Sequence, residues 1–213
     1  MIRGMDFGCG SGDSTEIMPS RLFRDSWLRR YGGHGWIGVD INSESIARAK
    51  VRIDNGSDFV VADGRQLPFL DGSFEFVRGS GALHHMTDYR CGIEEIARVT
   101  SKGGTVYIKE VVSDNPLYKI ARRLKRDWRG ERVESLFTSD DLMKEMRKYF
   151  FVDMKCVNYY WRSLFSDAME YFWKEPRWSL YYCHMVSKAL SLIRMDKFLC
   201  CHIVIRARRR HDA

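Results

Sequence analysis

Hydrophobic and polar positions follow two periods along this chain, and the changes between them mark the elements. Short apolar runs read as strands at 1–7, 35–40, 58–62, 74–77 and 105–112, the last after a Gly103-Gly104 turn. Between them apolar residues recur at helical spacing. Residues 14–30 carry Ile17, Leu22, Phe23 and Trp27; the helix opened by Ser43-Glu44 carries Ile46, Ala47 and Ala49; residues 89–100 carry Ile93, Ile96, Ala97 and Val99. Strands alternating with amphipathic helices predict a parallel sheet covered on both faces. After residue 112 the style changes. Asp114-Asn115-Pro116 reads as a helix start, and Leu117, Ile120, Ala121, Leu124 and Trp128 recur at helical spacing among basic residues. A helix over 138–149 opens on Thr138-x-x-Asp141, a capping-box pattern. A sixth strand is predicted at 150–160, mostly helical chain at 163–195 broken near Pro176, a last strand at 198–206, and a solvated tail carrying Arg208-Arg209-Arg210.

At 213 residues the chain is expected to form one domain. Its 45% hydrophobic and 30% charged residues exclude global disorder, and 4 prolines exclude Pro-rich classes. No uncharged apolar run reaches the roughly 18 residues of a membrane span. The first residues leave no room for a signal peptide, so the expected location is cytoplasmic. The six cysteines form no C-x-x-C pair, which argues against zinc-ribbon and iron–sulfur sites. Nothing visible calls for a metal.

Charge separates the halves. Residues 1–110 hold 14 basic and 15 acidic side chains, net −1; residues 111–213 hold 21 and 13, net +8. Aromatics lean the same way, with 17 of 28 after residue 110. The 116–129 segment alone carries six Lys and Arg. It is either a solvated face or a contact for an acidic substrate or anionic headgroups, which leaves peripheral membrane association open. The wide apolar arc of 178–195 must be buried, against the sheet, a second subunit or a lipid-like surface, so a homodimer also stays open.

The strongest chemical signal is Asp6-Phe7-Gly8-Cys9-Gly10-Ser11-Gly12, after a strand and before a helix. Its glycines let backbone N–H groups approach a ligand. It lacks the third glycine of a dinucleotide fingerprint and the lysine of a phosphate loop, so it suits a ligand without a polyphosphate. Asp40 ends the second strand, where a carboxylate can accept two ribose hydroxyls. Asp63-Gly64 ends the third, where Asp63 can accept from an adenine amino group. All of these lie at the carboxyl ends of strands.

With F-E-F-V-R-G-S-G-A-L-H-H-M (74–86) and G-G-T-V-Y-I-K-E (103–110), these motifs match in order and spacing. Over residues 1–112 the chain resembles the class I S-adenosylmethionine-dependent methyltransferases, in particular the small-molecule type 11 domain. The resemblance implies an α/β Rossmann-like sheet of seven strands in the order 3-2-1-4-5-7-6, the last antiparallel, with helices on both faces and a helical cap. It implies a single domain, 1–213, with a cofactor core at 1–112 and cap insertions at 113–137 and 161–196. It implies that Gly8, Gly10 and the neighbouring chain, Asp6 and Cys9 included, hold the methionine part of S-adenosyl-L-methionine. Asp40 would meet the ribose, Ile41 the adenine face, Asp63 with Gly64 the adenine amino group, and Ser80 with Gly81 the methionine end. The family usually has helices before the first strand; this sequence starts almost on it, so a lid is expected from elsewhere. Arg78 stands where an apolar strand residue is usual, and Gly4 where Val or Leu is common.

His84 and His85 follow the fourth strand, and Glu110 ends the fifth. Each is a candidate general base or a packed structural group. The expected function is methyl transfer, by in-line displacement, to a small-molecule or lipid- or sugar-linked acceptor, of acidic or amphiphilic character if the basic half selects it. The alternatives are a cofactor-binding subunit without catalysis and a nucleic-acid methyltransferase. The latter is disfavoured because the chain lacks a Pro-Cys nucleophile and a full N-P-P-Y motif.

Overall fold

The computed structural model describes residues 4–12, 36–53, 56–116, 137–159 and 200–212. The helices predicted at 14–30, 116–129 and 163–195, and with them almost all of the expected cap, lie outside the described residues. Seven strands form one sheet: β1 (Gly4–Phe7), β2 (Trp36–Asp40), β3 (Asp58–Val61), β4 (Phe74–Ser80), β5 (Thr100–Val111), β6 (Phe150–Tyr159) and β7 (Cys200–Arg209). Their order is β3-β2-β1-β4-β5-β7-β6, as the resemblance implied. β1 to β5 pair in parallel, and β7 runs antiparallel to both its neighbours.

Helices cover both faces. Neighbouring strand residues point to opposite sides, so Val39 joins the larger apolar cluster while Gly38 lies against the Phe59 ring on the other side. On the larger side, α2 (Tyr89–Val99) and α3 (Ser139–Met146) bury Ile93, Ile96, Leu142 and Met146 against Met5, Val77, Val106 and Ile205. On the other, α1 (Ser43–Arg52) buries Ile46 and Ala49 with Cys9 and Phe59. Each helix begins as its sequence dictates. Asn42 caps α1, Asp88 caps α2, and Thr138 with Asp141 forms the predicted capping box of α3. No helix among the described residues is long and apolar enough to cross a membrane.

Three sequence expectations change. β4 continues to Ser80, because its parallel ladder with β5 runs on through Ser80 opposite Lys109. The Gly103-Gly104 turn is an irregularity inside β5: the strand starts at Thr100 and the register slips between Phe74 and Phe76. The arginine run is no free tail. Arg208 and Arg209 close β7, Arg209 donates to the Tyr149 carbonyl at 3.2 Å and Arg210 to that of Phe150 at 3.4 Å. Arg209 also lies over the Tyr149 ring at 5.7 Å, so its aliphatic stem and charge are both used.

The two unusual strand residues explain one another. Arg78 is 6% exposed and lies directly across from Asp6, its Nη2 2.7 Å from Asp6 Oδ2. The Trp36 ring covers the guanidinium at 4.5 Å from its centroid. Trp36 in turn occupies the space beside Gly4, where a Cβ would sit 2.9 Å from its Cε3. A glycine in β1 therefore makes room for the indole that shields a buried ion pair.

Candidate functional site

A cavity of about 490 Å³ opens at the carboxyl ends of β1, β2 and β3, where open parallel sheets bind ligands. Gly8, Asp40, Ile41, Asp63, Arg65 and His85 are on its wall. The loop after β1 reaches it because Gly8 and Gly10 take φ of +67° and +54°, which side-chain-bearing residues rarely adopt. A Cβ on Gly8 would meet Ala82 Cβ at 2.3 Å; one on Gly10 would meet nothing within 4 Å among the described residues. The first glycine is demanded by packing, the second only by backbone conformation, and it leaves open space over the loop.

Asp40 is held from two sides. Its Oδ2 accepts from Gly10 N at 2.8 Å and its Oδ1 from Asn42 N at 2.9 Å. One bond ties the carboxylate to the glycine loop, the other to the N-terminus of α1. An ionised carboxylate has about four lone-pair sites, so each oxygen keeps one acceptor site. Ile41 beside it is 67% exposed, a large apolar side chain left against open space at the cavity edge.

Asp63 is clasped by Arg65. Oδ1 accepts from Arg65 N at 2.9 Å and from Nε at 3.1 Å; Oδ2 accepts from Nε at 3.0 Å and Nη2 at 2.6 Å. The Arg65 side chain, and then its backbone N–H, hold the Asp63 carboxyl below the usual carboxylate range. Gly64 lies on the Phe7 ring, where a Cβ would sit 2.6 Å from Cζ. This packs the floor of that end tightly.

The remaining predicted residues are placed differently. Asp6 is buried in the pair with Arg78, under the loop. The Cys9 backbone N–H donates to the Val39 carbonyl, while its side chain packs with Ile46, Ala49 and Phe59. Burial, with the charges of Asp6 and Asp40, pushes the Cys9 thiol up to about 12, so it stays protonated at neutral pH. Ser80 shares the strand face of Arg78, and its neighbour Gly81 is the one that lines the cavity.

Between β4 and α2 a short 3₁₀ turn, Leu83–His85, carries the histidines. Glu110 is fully buried behind it. Its Oε1 accepts from the Ala82 and Leu83 N–H groups, both at 2.8 Å, and its Oε2 lies 2.8 Å from His84 Nδ1. His84 is buried with it, and the His85 ring packs on His84 with centroids 4.0 Å apart. Of the three candidate bases, only His85 lines the cavity. Glu110 fixes the turn that presents it.

The sequence reading missed Arg65, although an acid and a base two residues apart after a strand were visible. It also missed the turn-holding part played by Glu110. That depends on a contact across 27 residues, which no local pattern announces.

The known proteins that this chain is similar to are methyltransferases. A methyltransferase-domain family model matches residues 5–108. A demethylmenaquinone methyltransferase of Corynebacterium glutamicum is 39% identical over 74 residues, 35% of this chain and 31% of that protein. A 27-O-demethylrifamycin SV methyltransferase of Amycolatopsis mediterranei is 28% identical over 154 residues, 68% of this chain and 52% of that one. The chain thus matches only 31% and 52% of the length of these two curated relatives. A solved putative methyltransferase from Bacillus halodurans superposes with a TM-score of 0.65 at 15% identity, covering 98% of this chain and 92% of that one, which establishes the shared fold.

Proposed function

Since the chain belongs to the class I S-adenosylmethionine-dependent methyltransferases, we propose that it transfers a methyl group from S-adenosylmethionine to a small-molecule acceptor. The observation that carries this reading is Asp40. Its carboxylate is anchored by Gly10 and Asn42 with one acceptor site left on each oxygen, which matches the two hydroxyl donors of a ribose. Asp63 with Gly64 stands at the other wall for an adenine amino group, Ile41 offers an apolar face, and the open space over Gly10 leaves room for the methionine end. Asp6 and Cys9 anchor the ends of that loop, and Gly81, next to Ser80, lines the β4 side.

The cofactor supplies an electrophilic methyl group on a sulfonium, whose sulfur keeps the C–S electron pair as the methyl leaves. The chain's part is then alignment, which can supply roughly 7–11 kcal/mol of barrier reduction, and exclusion of water. Where the acceptor must lose a proton, His85 is the group at the cavity that takes it. His84 and Glu110 hold its turn in place. A buried carboxylate bonded to one histidine, with a second histidine packed on it and facing the cavity, is a suitable arrangement for that task. The core at 1–112 would bind cofactor, and the segments 113–137 and 161–196 would cover the acceptor.

Relatives named for demethylmenaquinone and demethylrifamycin support a small-molecule acceptor over a nucleic acid. The excess of eight positive charges after residue 110 supports an acidic or amphiphilic one. Chain freed of bound cofactor is expected to bind S-adenosylhomocysteine at 1:1 in calorimetry, and to methylate a hydroxylated ring acceptor from a panel. No heat of binding at millimolar ligand would remove the cofactor reading.

A second expected result tests the acceptor. Reversing Arg122, Arg123 and Arg126 to Glu should cut turnover of an acidic acceptor by about tenfold, the effect of ~1.4 kcal/mol of lost attraction. S-adenosylhomocysteine affinity should stay within about twofold, because every residue assigned to the cofactor lies in the half before residue 112. Unchanged turnover would reduce the basic stretch to a solubilising face.

A further inference from the structure

Among the described residues, Arg65 carries the one permanent positive charge on the cavity wall, beside the two aspartates. Its guanidinium approaches Asp63 edge-on through Nε and Nη2, while its own backbone N–H takes a further site on Oδ1. A bidentate pair of this kind fixes the plane of a carboxylate as well as its charge. The count of acceptor sites then matters. Three N–H groups point at roughly four lone-pair sites on the carboxylate: the Arg65 N–H at Oδ1, Nη2–H at Oδ2, and the single Nε–H shared between Oδ1 and Oδ2 at 3.1 and 3.0 Å. One acceptor site remains.

We infer that Arg65 is a specificity-positioning residue of the adenine end: it locks Asp63 so that a single acceptor site, and no donor, is left for the 6-amino group of the cofactor's purine. This rests on the cofactor reading above. A purine bearing a 6-amino group donates to that site. A 6-oxo purine sets a carbonyl oxygen against a fixed carboxylate oxygen, and Asp63, ionised at neutral pH, has no proton to offer it. Without the Arg65 side chain only the backbone N–H of residue 65 still holds Oδ1, and Oδ2 can swing, take up water or turn away from the ligand. Discrimination falls even though Asp63 is still present. Lysine, a single compact ammonium, does not reproduce the edge-on pair.

The experiment is calorimetry on the full chain with two probes, S-adenosylhomocysteine and its 6-oxo counterpart S-inosylhomocysteine. Wild type is expected to prefer the amino compound strongly. Arg65→Ala should weaken the amino compound by about tenfold, as for one charge-assisted contact, and leave the oxo compound unchanged, so that the ratio collapses. Arg65→Lys should behave like the alanine variant. The Arg65 side chain is 53% exposed, and thermal melts of both variants should match wild type. Tighter binding of the amino compound by Arg65→Ala would show that Arg65 competes for Asp63, and overturns the inference. So would an equal loss for both compounds, or full rescue by lysine. Equal binding of both compounds by wild type overturns it too and leaves the cofactor reading standing. Binding of neither by wild type overturns both.

Discussion

Asp40→Ala should weaken S-adenosylhomocysteine binding by about a hundredfold, roughly 3 kcal/mol. The carboxylate offers one acceptor site per oxygen to the ribose diol, and each hydrogen bond to a charged group contributes about 1.5–3 kcal/mol. Alanine removes both. It also strips the Gly10 N–H of its acceptor and so unties the glycine loop from β2. Asn42 keeps its own bond to Ser45, so α1 remains capped and the fold should survive. Asp40→Asn is expected to fall between the two, because its amide oxygen can still accept on one side. Calorimetry beside a thermal melt separates loss of binding from loss of fold. An affinity within threefold of wild type in the alanine variant would place the ribose elsewhere.

Asp6→Ala and Arg78→Met should each destabilise the chain by about 3–5 kcal/mol, because each breaks a buried ion pair from one side. Asp6 is 1% exposed and Arg78 6%. For a chain of this size the melting temperature should drop by about 10 °C, at roughly 2–4 °C per kcal/mol. The double variant Asp6→Ala/Arg78→Met should recover most of the loss, since an apolar replacement of both partners buries no charge. The diagnostic is the coupling in the double-mutant cycle. Additive losses, or single variants within 1 kcal/mol of wild type, would mean that the pair contributes nothing beyond its volume. Asp6 is one residue ahead of Phe7-Gly8, so the single variants should also loosen cofactor binding, but only through the loop.

What the sequence determined by itself was local. The glycine loop was legible because positive φ at Gly8 and Gly10 is a property of single residues. The helix opening at Ser43-Glu44 and the Thr138–Asp141 box were legible because a helix start is written in four consecutive positions, while the caps Asn42 and Asp88 came from the structure. The sheet order came from recognising five motifs in register, and the pairing of β1 to β7 agrees with it. Asp40 and Asp63 could be placed at one cavity because parallel strands bring their carboxyl ends together whatever their side chains.

Only the tertiary structure decided which polar groups are partners. Arg78 looked like a misplaced charge until Asp6, 72 residues earlier, came opposite it and Trp36 filled the space left by Gly4. Glu110 looked like a candidate base and is the acceptor that holds the His84 turn. The closing arginines looked like a tail and complete β7, because their partners at 149 and 150 lie about sixty residues away. Hydrophobic periodicity reports only whether a position is turned inward. A buried charge is stable only beside its own counter-charge, and where that stands is settled by strand register and chain crossing, which no stretch of sequence contains.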